Sequence, residues 1–372
     1  MDTAQAFARL PGRVDAVAAM TSPVFDRPTV DVVESPAGGS PVEWDAFVAS
    51  QELGSFYHCY GWKALNERQL RHASLYLEAR AGGALTGILP LVLTRSRLFG
   101  NILCSLPFVN FGGPVAVDLE TTNALVRVAQ SRASRLGVDY LELRCADSLE
   151  TDMIASLHKI SMTLHLDPDP DRLWNGFTSK HRTAIRRVYK DGLAVISGGA
   201  ELLPEFYSVM QDSWRDLGTP LYSPEYFQAI LETFPEQTRV FVCRRDGQPI
   251  AVALNGYFAG KVEGMWAGTT QAGHDLHANY VLYWEMIKDA CERGFRRYHL
   301  GRSTAGSGAE QFKKKWNAEA TQLYWYYHRP SGREVTPVNV NHPTYQLGIA
   351  MWRKLPLWVT RRVGPSLARV IP

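Results

Sequence analysis

The sequence predicts an α+β (α/β) protein made of two similar halves, with mixed sheets flanked by helices. Each half contains a strand meander, a helix and one further strand, and the second begins about 160 residues after the first. The segments RLGVDYLELR and ERGFRRYHLGR, which close the two units, share their order of glycine, apolar and charged residues. This repetition favours a tandem duplication; the alternative is chance recurrence of a hairpin and a helix.

In the first half, glycines separate the periodic segments. Gly82 and Gly83 join two alternating strands as a hairpin turn, and Gly137 ends the helix. The crossover is expected to return beside the meander with right-handed chirality. The predicted elements of this half are strands at 74–80, 84–94 and 138–144, with a helix around 123–135.

The second half repeats this order. Asp246 and Gly247 are typical of a two-residue hairpin turn. A helix from about 278 carries apolar residues three and four positions apart, with charged residues on the opposite face, and ends at Gly294. The predicted strands of this half lie at 239–245, 249–258, 262–268 and 295–300.

Composition indicates folded domains and excludes several classes of protein. Of 372 residues, 45% are hydrophobic and 21% are charged, so the chain can bury a core. Forty Lys and Arg against 37 Asp and Glu leave a net charge of +3, and DNA is therefore not expected as a partner. The predicted organisation is a loosely ordered lead-in at 1–40, domains at 41–167 and 168–334, and a basic aromatic tail at 335–372.

Cysteine usage and hydropathy predict a cytoplasmic protein. The five cysteines stand far apart without a C-x-x-C pair, so neither a disulfide framework nor a zinc site is expected. The start lacks the apolar run of a secretory signal, and no stretch reaches the roughly 18 apolar residues of a membrane-spanning helix. His274 and His277 have no third ligand nearby, so no metal site is predicted.

A basic helix is predicted over SKHRTAIRRVYK, residues 179–190. Arg182, Arg186 and Lys190 are spaced four apart on one face, and Lys180 stands in the first turn. Such like-charged neighbours cost about 0.2–0.5 kcal/mol each in an isolated helix, and a bound anion would offset this repulsion. The alternatives are a solvated face or pairing with carboxylates elsewhere in the fold.

Two further segments concentrate candidate functional residues. GRSTAGSGAEQFKKKWN, at 301–317, follows a strand and opens a helix, where backbone N–H groups favour anions, although it is no Walker A loop. Its alternative is a flexible surface loop with a basic helix. WRDLGTPLYSPEYF, at 214–227, resembles a substrate-binding loop, with packing of its aromatic residues against the sheet as the alternative.

The tail from Val335 to Pro372 contains no Asp or Glu. Trp352 and Trp358 alternate there with Arg353, Lys354 and further arginines. Aromatic and basic residues together suit an anionic membrane surface, where each cation contributes about 1 kcal/mol. The alternative is a tail strapped over both domains.

Several segments together form a recognisable pattern from about Val42 to the end. They are FYHCYGW, GILPL, LFGNILCSLPFVNFGGP and YLELR in the first half, and SKHRTAIRR, Leu217-Gly218-Thr219-Pro220, Ala278-Asn279, GRSTAGSG, FKKKW and LPLWVTRRVGP in the second. With these segments the chain resembles the FemAB-related, GNAT-type acyltransferases, specifically the subgroup associated with exosortase and PEP-CTERM systems.

The resemblance implies two GNAT-like domains and transfer of an acyl or aminoacyl group to an amine or hydroxyl. The implied acceptor is an envelope or exopolysaccharide precursor, a lipid-linked one included, and peripheral contact with the inner face of the cytoplasmic membrane would fit it. The implied donor is anionic, acyl-CoA or aminoacyl-tRNA, with no bound cofactor. Neither donor is favoured, because His274 replaces the first glycine of the usual GNAT pyrophosphate loop and no long heptad hairpin is present.

The candidate residues divide by the chemistry that acyl transfer needs. Lys313 and Arg302 would hold donor phosphates or the developing charge. The candidate bases are Asp216, Glu263 and His299, and the candidate donors to the leaving group are Tyr222 and Ser303. The other candidates for binding donor or substrate are Lys180, Arg182, Arg186, Trp214, Arg215, Asn279, Ser307, Gly308 and Trp316.

The alternative function is a non-catalytic module for an anionic carrier or polysaccharide; a pair of strands that splays toward Arg302 would favour catalysis.

Overall fold

The computed structural model describes residues 30–35, 40–97, 99–332 and 343–371. Most of the predicted lead-in and the start of the predicted tail lie outside these ranges. Within them the chain forms two mixed β-sheets flanked by helices, so the predicted α+β fold is confirmed. No helix in these ranges is both long and apolar enough to cross a bilayer.

The strands of the described ranges are, in chain order, β1 (Asp31–Glu34), β2 (Ala73–Ala81), β3 (Ala84–Ser96), β4 (Gly100–Cys104), β5 (Val115–Ala116), β6 (Tyr140–Cys145), β7 (Ile154–Ser156), β8 (Lys159–His165), β9 (Leu193–Gly198), β10 (Thr238–Arg245), β11 (Gln248–Phe258), β12 (Lys261–Thr269), β13 (Arg297–Thr304), β14 (Glu319–Gln322) and β15 (Tyr324–His328).

The helices are α1 (Pro41–Ser50), α2 (Trp62–Arg68), α3 (Leu119–Leu136), α4 (Pro170–Gly176), α5 (Ser179–Lys190), α6 (Leu203–Leu217), α7 (Pro224–Thr233), α8 (Gln271–Asp275), α9 (Asn279–Glu292), α10 (Gly308–Lys314), α11 (Pro343–Arg353) and α12 (Leu357–Ala368). Local signals set several of their ends. The Asp118 carboxylate accepts from the backbone N–H of Thr121 at the start of α3, and left-handed Gly137 ends that helix.

The two predicted repeats are present as two sheets. The first has the order β1-β2-β3-β4-β6-β15-β7, with β5 beside β3, and the second has the order β14-β8-β13-β12-β11-β10-β9. In each, a meander is followed by a helix, α3 or α9, and by a strand that pairs in parallel with the last strand of the meander, β6 with β4 and β13 with β12. The repeated order of elements therefore matches the sequence pattern.

The two sheets exchange one strand each. β8 precedes the predicted boundary between 167 and 168 but pairs with β13 and β14 of the second sheet. β15 lies in the predicted second domain but pairs with β6 and β7 of the first sheet. The expected domain limits therefore do not separate the sheets, because open strand edges in each sheet are filled by segments from the other half of the chain.

Two segments outside the repeats also pack against them. Asp31–Glu34, within the predicted lead-in, pairs antiparallel with β2 as an edge strand. At the other end, α11 and α12 both contact α6. A shared hydrophobic core, which includes Trp44 of the first half and Trp266 of the second, joins the two sheets.

Candidate active site

The strands β12 and β13 separate in the middle of the second sheet. They pair in parallel over only three positions, the last of which sets Glu263 opposite His299. Beyond this point β12 continues beside β11, whereas β13 turns toward β8 and sets Arg302 opposite Ser161. A cleft therefore opens between two parallel strands, with Arg302 on the strand that turns away.

A bulge redirects β13 where the cleft begins. The register shifts between His299 and Arg302, and Gly301 adopts a left-handed conformation with φ of 79°. A Cβ atom on Gly301 would lie 3.3 Å from the carbonyl oxygen of Gly264 on β12. Glycine therefore permits both the turn of the backbone and the close approach of the two strands.

The Lys313 side chain on α10 holds this bulge in place. Its ammonium group donates hydrogen bonds to the carbonyl oxygens of Gly301, over 2.8 Å, and Arg302, over 3.0 Å, and to the hydroxyl of Ser303, over 3.1 Å. Burial and the nearby charge of Arg302 lower the pKa of Lys313 to about 8. Because all three N–H groups are used, Lys313 orders the bulge instead of contacting donor phosphate as expected, and Ser303 is its partner.

The guanidinium group of Arg302 lines the cleft as an unpaired cation. Its central carbon lies 5.4 Å from the ring centre of Trp325, and Arg144 lies 4.4 Å from the same ring. Arg144 is buried and paired with Glu142 over 2.5 Å, so its charge is compensated. Arg302 makes no ion pair with any described carboxylate, so its charge is available to a bound anion.

Arg302 remains charged in this environment. Arg302 is an exposed residue that lines the cleft, and other side chains crowd its guanidinium group. Desolvation, followed by the neighbouring charge of Arg144, lowers the pKa of Arg302 to about 10. A pKa of this value leaves the group protonated at neutral pH.

Buried Glu263 and partly buried His299 face each other where the strands separate. Oε1 of Glu263 lies 3.8 Å from Nδ1 of His299, and neither atom has a hydrogen-bond partner among the described residues. Burial raises the pKa of Glu263 well above its usual range, while burial and the charge of Lys261 lower the pKa of His299 to about 4. These shifts favour a protonated carboxyl on Glu263 and a neutral imidazole on His299.

The first half of the chain supplies polar groups to the same place. Nδ2 of Asn110 donates to the hydroxyl of Tyr57 over 2.9 Å, and Asn110 lines the cleft. Desolvation, with the charge of Glu263, raises the pKa of Tyr57 well above its usual range, whereas the charge of Arg302 opposes the shift. Tyr57 thus keeps its proton and can donate it in a hydrogen bond.

The cleft contains a cavity of about 280 Å³ between the halves of the chain. Its wall is mainly aromatic and apolar, with a few polar groups, as in small-molecule sites. The lining residues that carry its chemistry are Asn110, Asn255, Trp214, Tyr283, Arg302 and Lys313. Four residues of this region, Tyr57, Asn110, Arg144 and Trp325, are not among the candidates predicted from the sequence. The first three stand in FYHCYGW, LFGNILCSLPFVNFGGP and YLELR, and these segments were the signal that could have indicated them.

The segment at 214–227 divides between two places. Trp214 lines the cavity, and buried Tyr222 packs edge-on against Phe108, which lines it too. Asp216 is 57% exposed on the end of α6 and pairs with Arg215 over 2.8 Å. Asp216 and Arg215 do not line the cavity, so their predicted roles as base and as substrate-binding residue are not supported by their positions.

In the glycine-rich segment after β13, two backbone N–H groups donate hydrogen bonds to side chains of the same segment. Ser307 caps α10 by accepting from the backbone N–H of Glu310, and the Glu310 carboxylate accepts from the N–H of Gly306. This variant of the capping box puts an internal carboxylate where Ser307 and Gly308 were expected to hold an external anion. Trp316 is buried in a separate hydrophobic cluster of the second half, with its ring centre 4.4 Å from that of His181, and does not line the cavity.

Two arginines of the basic helix α5 contact other parts of the protein. Arg182 donates to the carbonyl oxygens of Asn175 and Phe177 at the end of α4, and Arg186 lies 5.3 Å over the ring of Trp174. These contacts, in place of a shared anion, explain the spacing of Arg182 and Arg186. Lys180 lines a second cavity, of about 890 Å³, whose other lining residues include Arg187, Lys190, Arg245, Asp191, Asp246 and Asp275.

Asn279 stands at the start of α9 and outside the cavity. Its Oδ1 accepts a hydrogen bond from the hydroxyl of Thr269 over 2.7 Å, which ties α9 to the end of β12. In the part of the chain that the structure describes, no three His, Cys, Asp or Glu side chains are grouped so as to hold a metal ion.

The segment that carries this cleft matches a known family. Residues 177–314 match the model of the acetyltransferase (GNAT) domain. The chain has the fold of tandem GNAT-like domains. Its fold resembles the crystal structure of FemX, with a TM-score of 0.63 and 15% identity over 85% of this chain and 99% of that one. It also resembles a tandem GNAT protein from the clavulanic acid biosynthesis pathway, with a TM-score of 0.53 and 12% identity over 82% of this chain and 100% of that one.

One curated relative shares more of its sequence with this tandem GNAT-like chain. It is the UDP-N-acetylmuramoylpentapeptide-lysine N(6)-alanyltransferase of Weissella viridescens, 30% identical over 147 residues. The match covers 38% of this chain and 44% of that relative, so this chain spans less than half of it. The similarity to FemAB-like GNAT acyltransferases extends over this part of the chain.

Proposed function

We propose that this protein is an acyltransferase that moves an acyl or aminoacyl group from an anionic donor to an amine or hydroxyl. The observation that carries the proposal is Arg302, an unpaired guanidinium group in an open cleft between two splayed parallel strands. The GNAT-domain match over residues 177–314 supports it. The open cavity also favours catalysis over the alternative of a non-catalytic binding module, because the cleft is not plugged by side chains.

Acyl transfer needs a positioned donor carbonyl, a proton acceptor and compensation of the developing oxyanion. The acceptor nitrogen or oxygen attacks the carbonyl carbon, a new C–N or C–O bond forms, and the C–S or C–O bond to the donor breaks. Arg302 and the Tyr57 hydroxyl supply positive charge and a hydrogen bond for the carbonyl oxygen. His299 and Glu263 lie beside the cavity and do not line it, so water carries the protons: one passes from the attacking group to the neutral imidazole of His299, and one from the carboxyl of Glu263 to the leaving group.

The substrates are proposed as chemical classes. The name of the Weissella relative describes transfer of an alanyl group to N6 of the lysine in UDP-N-acetylmuramoyl pentapeptide. For this chain we propose an envelope or exopolysaccharide precursor as acceptor. We include in this proposal a lipid-linked form of that precursor, presented at the inner face of the cytoplasmic membrane. We also include an association with exosortase and PEP-CTERM systems. The donor is acyl-CoA or aminoacyl-tRNA.

Consumption of donor by the purified protein tests the function. Labelled acyl-CoAs and aminoacyl-tRNAs are incubated with amine and hydroxyl acceptors, and the donor that stabilises the protein against heat is tested first, since a ligand at 100 times its Kd adds about 2.7 kcal/mol. We expect acceptor-dependent loss of one donor, reduced roughly 100-fold or more by Arg302→Ala. Arg135→Ala, on the exposed side of α3, is the matched control. Binding of a polysaccharide or carrier without consumption of any donor would support the binding module.

A further inference from the structure

The helices α11 and α12 present large apolar side chains to solvent. Leu347 and Met351, one turn apart on α11, are 63% and 62% exposed, and Trp358 on α12 is 71% exposed. These residues lie outside the cleft and have no part in the proposed chemistry. Exposed apolar groups concentrated on one pair of helices indicate a surface that is covered in use.

The opposite side of the same helices is firmly packed. Thr360, Gly364 and Ala368, spaced four apart on α12, are its buried positions, and a Cβ on Gly364 would lie 3.2 Å from the carbonyl oxygen of Leu221. Because residues four apart share a face, the buried stripe fixes the rotation of α12 and leaves Trp358 pointing outward. The exposed side chains are thus held on a rigid support.

The exposed surface of this pair carries one sign of charge. No Asp or Glu occurs from Val335 to Pro372. Lys354, Arg361 and Arg362 are exposed and make no ion pair with any described carboxylate. Trp358 and Arg362 stand four apart, so an aromatic ring and a guanidinium group are neighbours on the outward face.

A basic groove adjoins the end of α12. It has a volume of about 430 Å³ and is lined by Arg71, Arg95 and Arg369, with no carboxylate in its wall. None of these three arginines is paired with an acid in the described ranges. His72, whose ring bonds the Arg369 carbonyl oxygen over 2.7 Å, fixes the end of the chain against the groove. Three guanidinium groups around one groove suit a phosphate group.

We propose that α11, α12 and this groove form a docking surface for an anionic lipid bilayer. Trp358, Leu347 and Met351 enter the interface, and the arginines contact lipid phosphates. A bilayer is the proposed occupant, because the two helices contribute basic residues and no acid, and the adjoining groove adds three arginines without a carboxylate. This docking surface deepens the proposed function, because it names the part of the protein that would face a lipid-linked acceptor. Only that link to the acceptor rests on the proposed function.

Co-sedimentation of the full chain with vesicles tests this surface. We expect binding to phosphatidylcholine vesicles that contain phosphatidylglycerol, loss of that binding at high salt, and little binding to phosphatidylcholine alone. Arg361→Gln with Arg362→Gln should weaken binding roughly 30-fold, and Arg71→Gln with Arg95→Gln similarly, if each cation contributes about what it does near anionic membranes. Trp358→Ser should weaken binding at every salt concentration.

Matched variants distinguish a specific role of this surface from a general effect of removing positive charge or an exposed apolar side chain. Arg127→Gln with Arg135→Gln on α3 removes two exposed arginines elsewhere, and Leu157→Ser removes an exposed leucine between β7 and β8. Both should bind like the wild type, and thermal unfolding confirms that each variant is folded. Absence of wild-type binding to the anionic vesicles, or equal losses in control and test variants, would overturn the proposal. Binding is measured without turnover, so failure here leaves the acyltransferase proposal intact, and failure of turnover leaves vesicle binding intact.

Discussion

The ammonium group of Lys313 donates a hydrogen bond to the main-chain carbonyl oxygen of Arg302 over 3.0 Å, while the Arg302 side chain extends toward Trp325. Lys313 therefore sets the position of a residue whose functional group it does not need to touch. The same ammonium group bonds Gly301 and Ser303, so three consecutive residues of β13 depend on one side chain.

Replacement of Lys313 by Met should affect both stability and activity. The variant leaves buried acceptors without a donor, and each unsatisfied group costs about 1–3 kcal/mol. We expect a lower free energy of unfolding by urea and, in the folded protein, reduced kcat because Arg302 is less well ordered. Lys314→Met, which removes an exposed lysine paired with Glu310, is the control and should lose little. Unchanged stability in Lys313→Met would contradict the role assigned to this lysine.

Gly301→Ala should be more damaging than a substitution at another left-handed glycine. Any L-residue in this conformation costs about 1–2 kcal/mol, and at Gly301 the added methyl group also meets the Gly264 carbonyl oxygen at 3.3 Å. Gly247 has a φ of 79° as well, but nothing lies within 4 Å of its Cβ position. Urea unfolding of Gly301→Ala and Gly247→Ala therefore isolates the contact between β12 and β13. Equal losses would show that the contact contributes nothing.

Glu263→Gln should alter the pH dependence of stability. Burial raises the pKa of Glu263 in the folded protein, so above the usual pKa of 4.5 the folded state retains a proton that the unfolded state loses. The stability contributed by this group is complete below that value and declines as pH rises toward the folded-state pKa. We expect Glu263→Gln to match the wild type at pH 4.5 and to exceed it in stability at pH 8.

Activity and a surface control complete the test of Glu263. Glu67→Gln removes a carboxylate that pairs with Lys63 at the surface, and its stability should follow the wild-type curve. If the Glu263 carboxyl supplies the proton to the leaving group, Glu263→Gln also lowers kcat, whereas a purely structural role changes stability alone. A Glu263→Gln curve parallel to the wild type from pH 4.5 to pH 8 would refute the buried, protonated state.

His181→Phe should make the protein less sensitive to acid. His181 packs against Trp316 with both ring nitrogens unpartnered, and burial lowers its pKa to about 4 from 6.5. Between these values the unfolded state binds a proton that the folded state does not, so stability falls as pH decreases from 6.5 toward 4. Urea unfolding between pH 7 and pH 5 should show a shallower decline for His181→Phe. His165→Phe, at an exposed ring, should keep the wild-type slope.

Much of the fold was predictable because its signals are local. Gly137 and Gly294 end the helices where expected, and Asp246-Gly247 forms the hairpin between β10 and β11. These residues act through their own φ angles or through neighbours a few positions away. The exchange of β8 and β15 was missed, because it depends on pairing between strands far apart in the chain.

The candidate site was predicted in part, for the same reason. Arg302, Glu263 and His299 meet where β12 and β13 separate, and sequence position at the end of a strand indicated Arg302. The contact of Arg182 with the end of α4 could not be predicted from the sequence, and neither could the surface pair of Asp216 with Arg215. An isolated charge looks the same in the sequence whether it faces a ligand, a helix end or water.

The sequence by itself determined the repeated order of strands and helices, the glycines that end them, and the absence of acids from the tail. These properties follow from side-chain chemistry and short-range backbone geometry. Tertiary structure alone decided which cation stays unpaired, which lysine supports it, and that Tyr57 and Asn110 of the first half reach the cleft of the second. Burial and proximity assign these roles, and both arise only when residues hundreds of positions apart pack together.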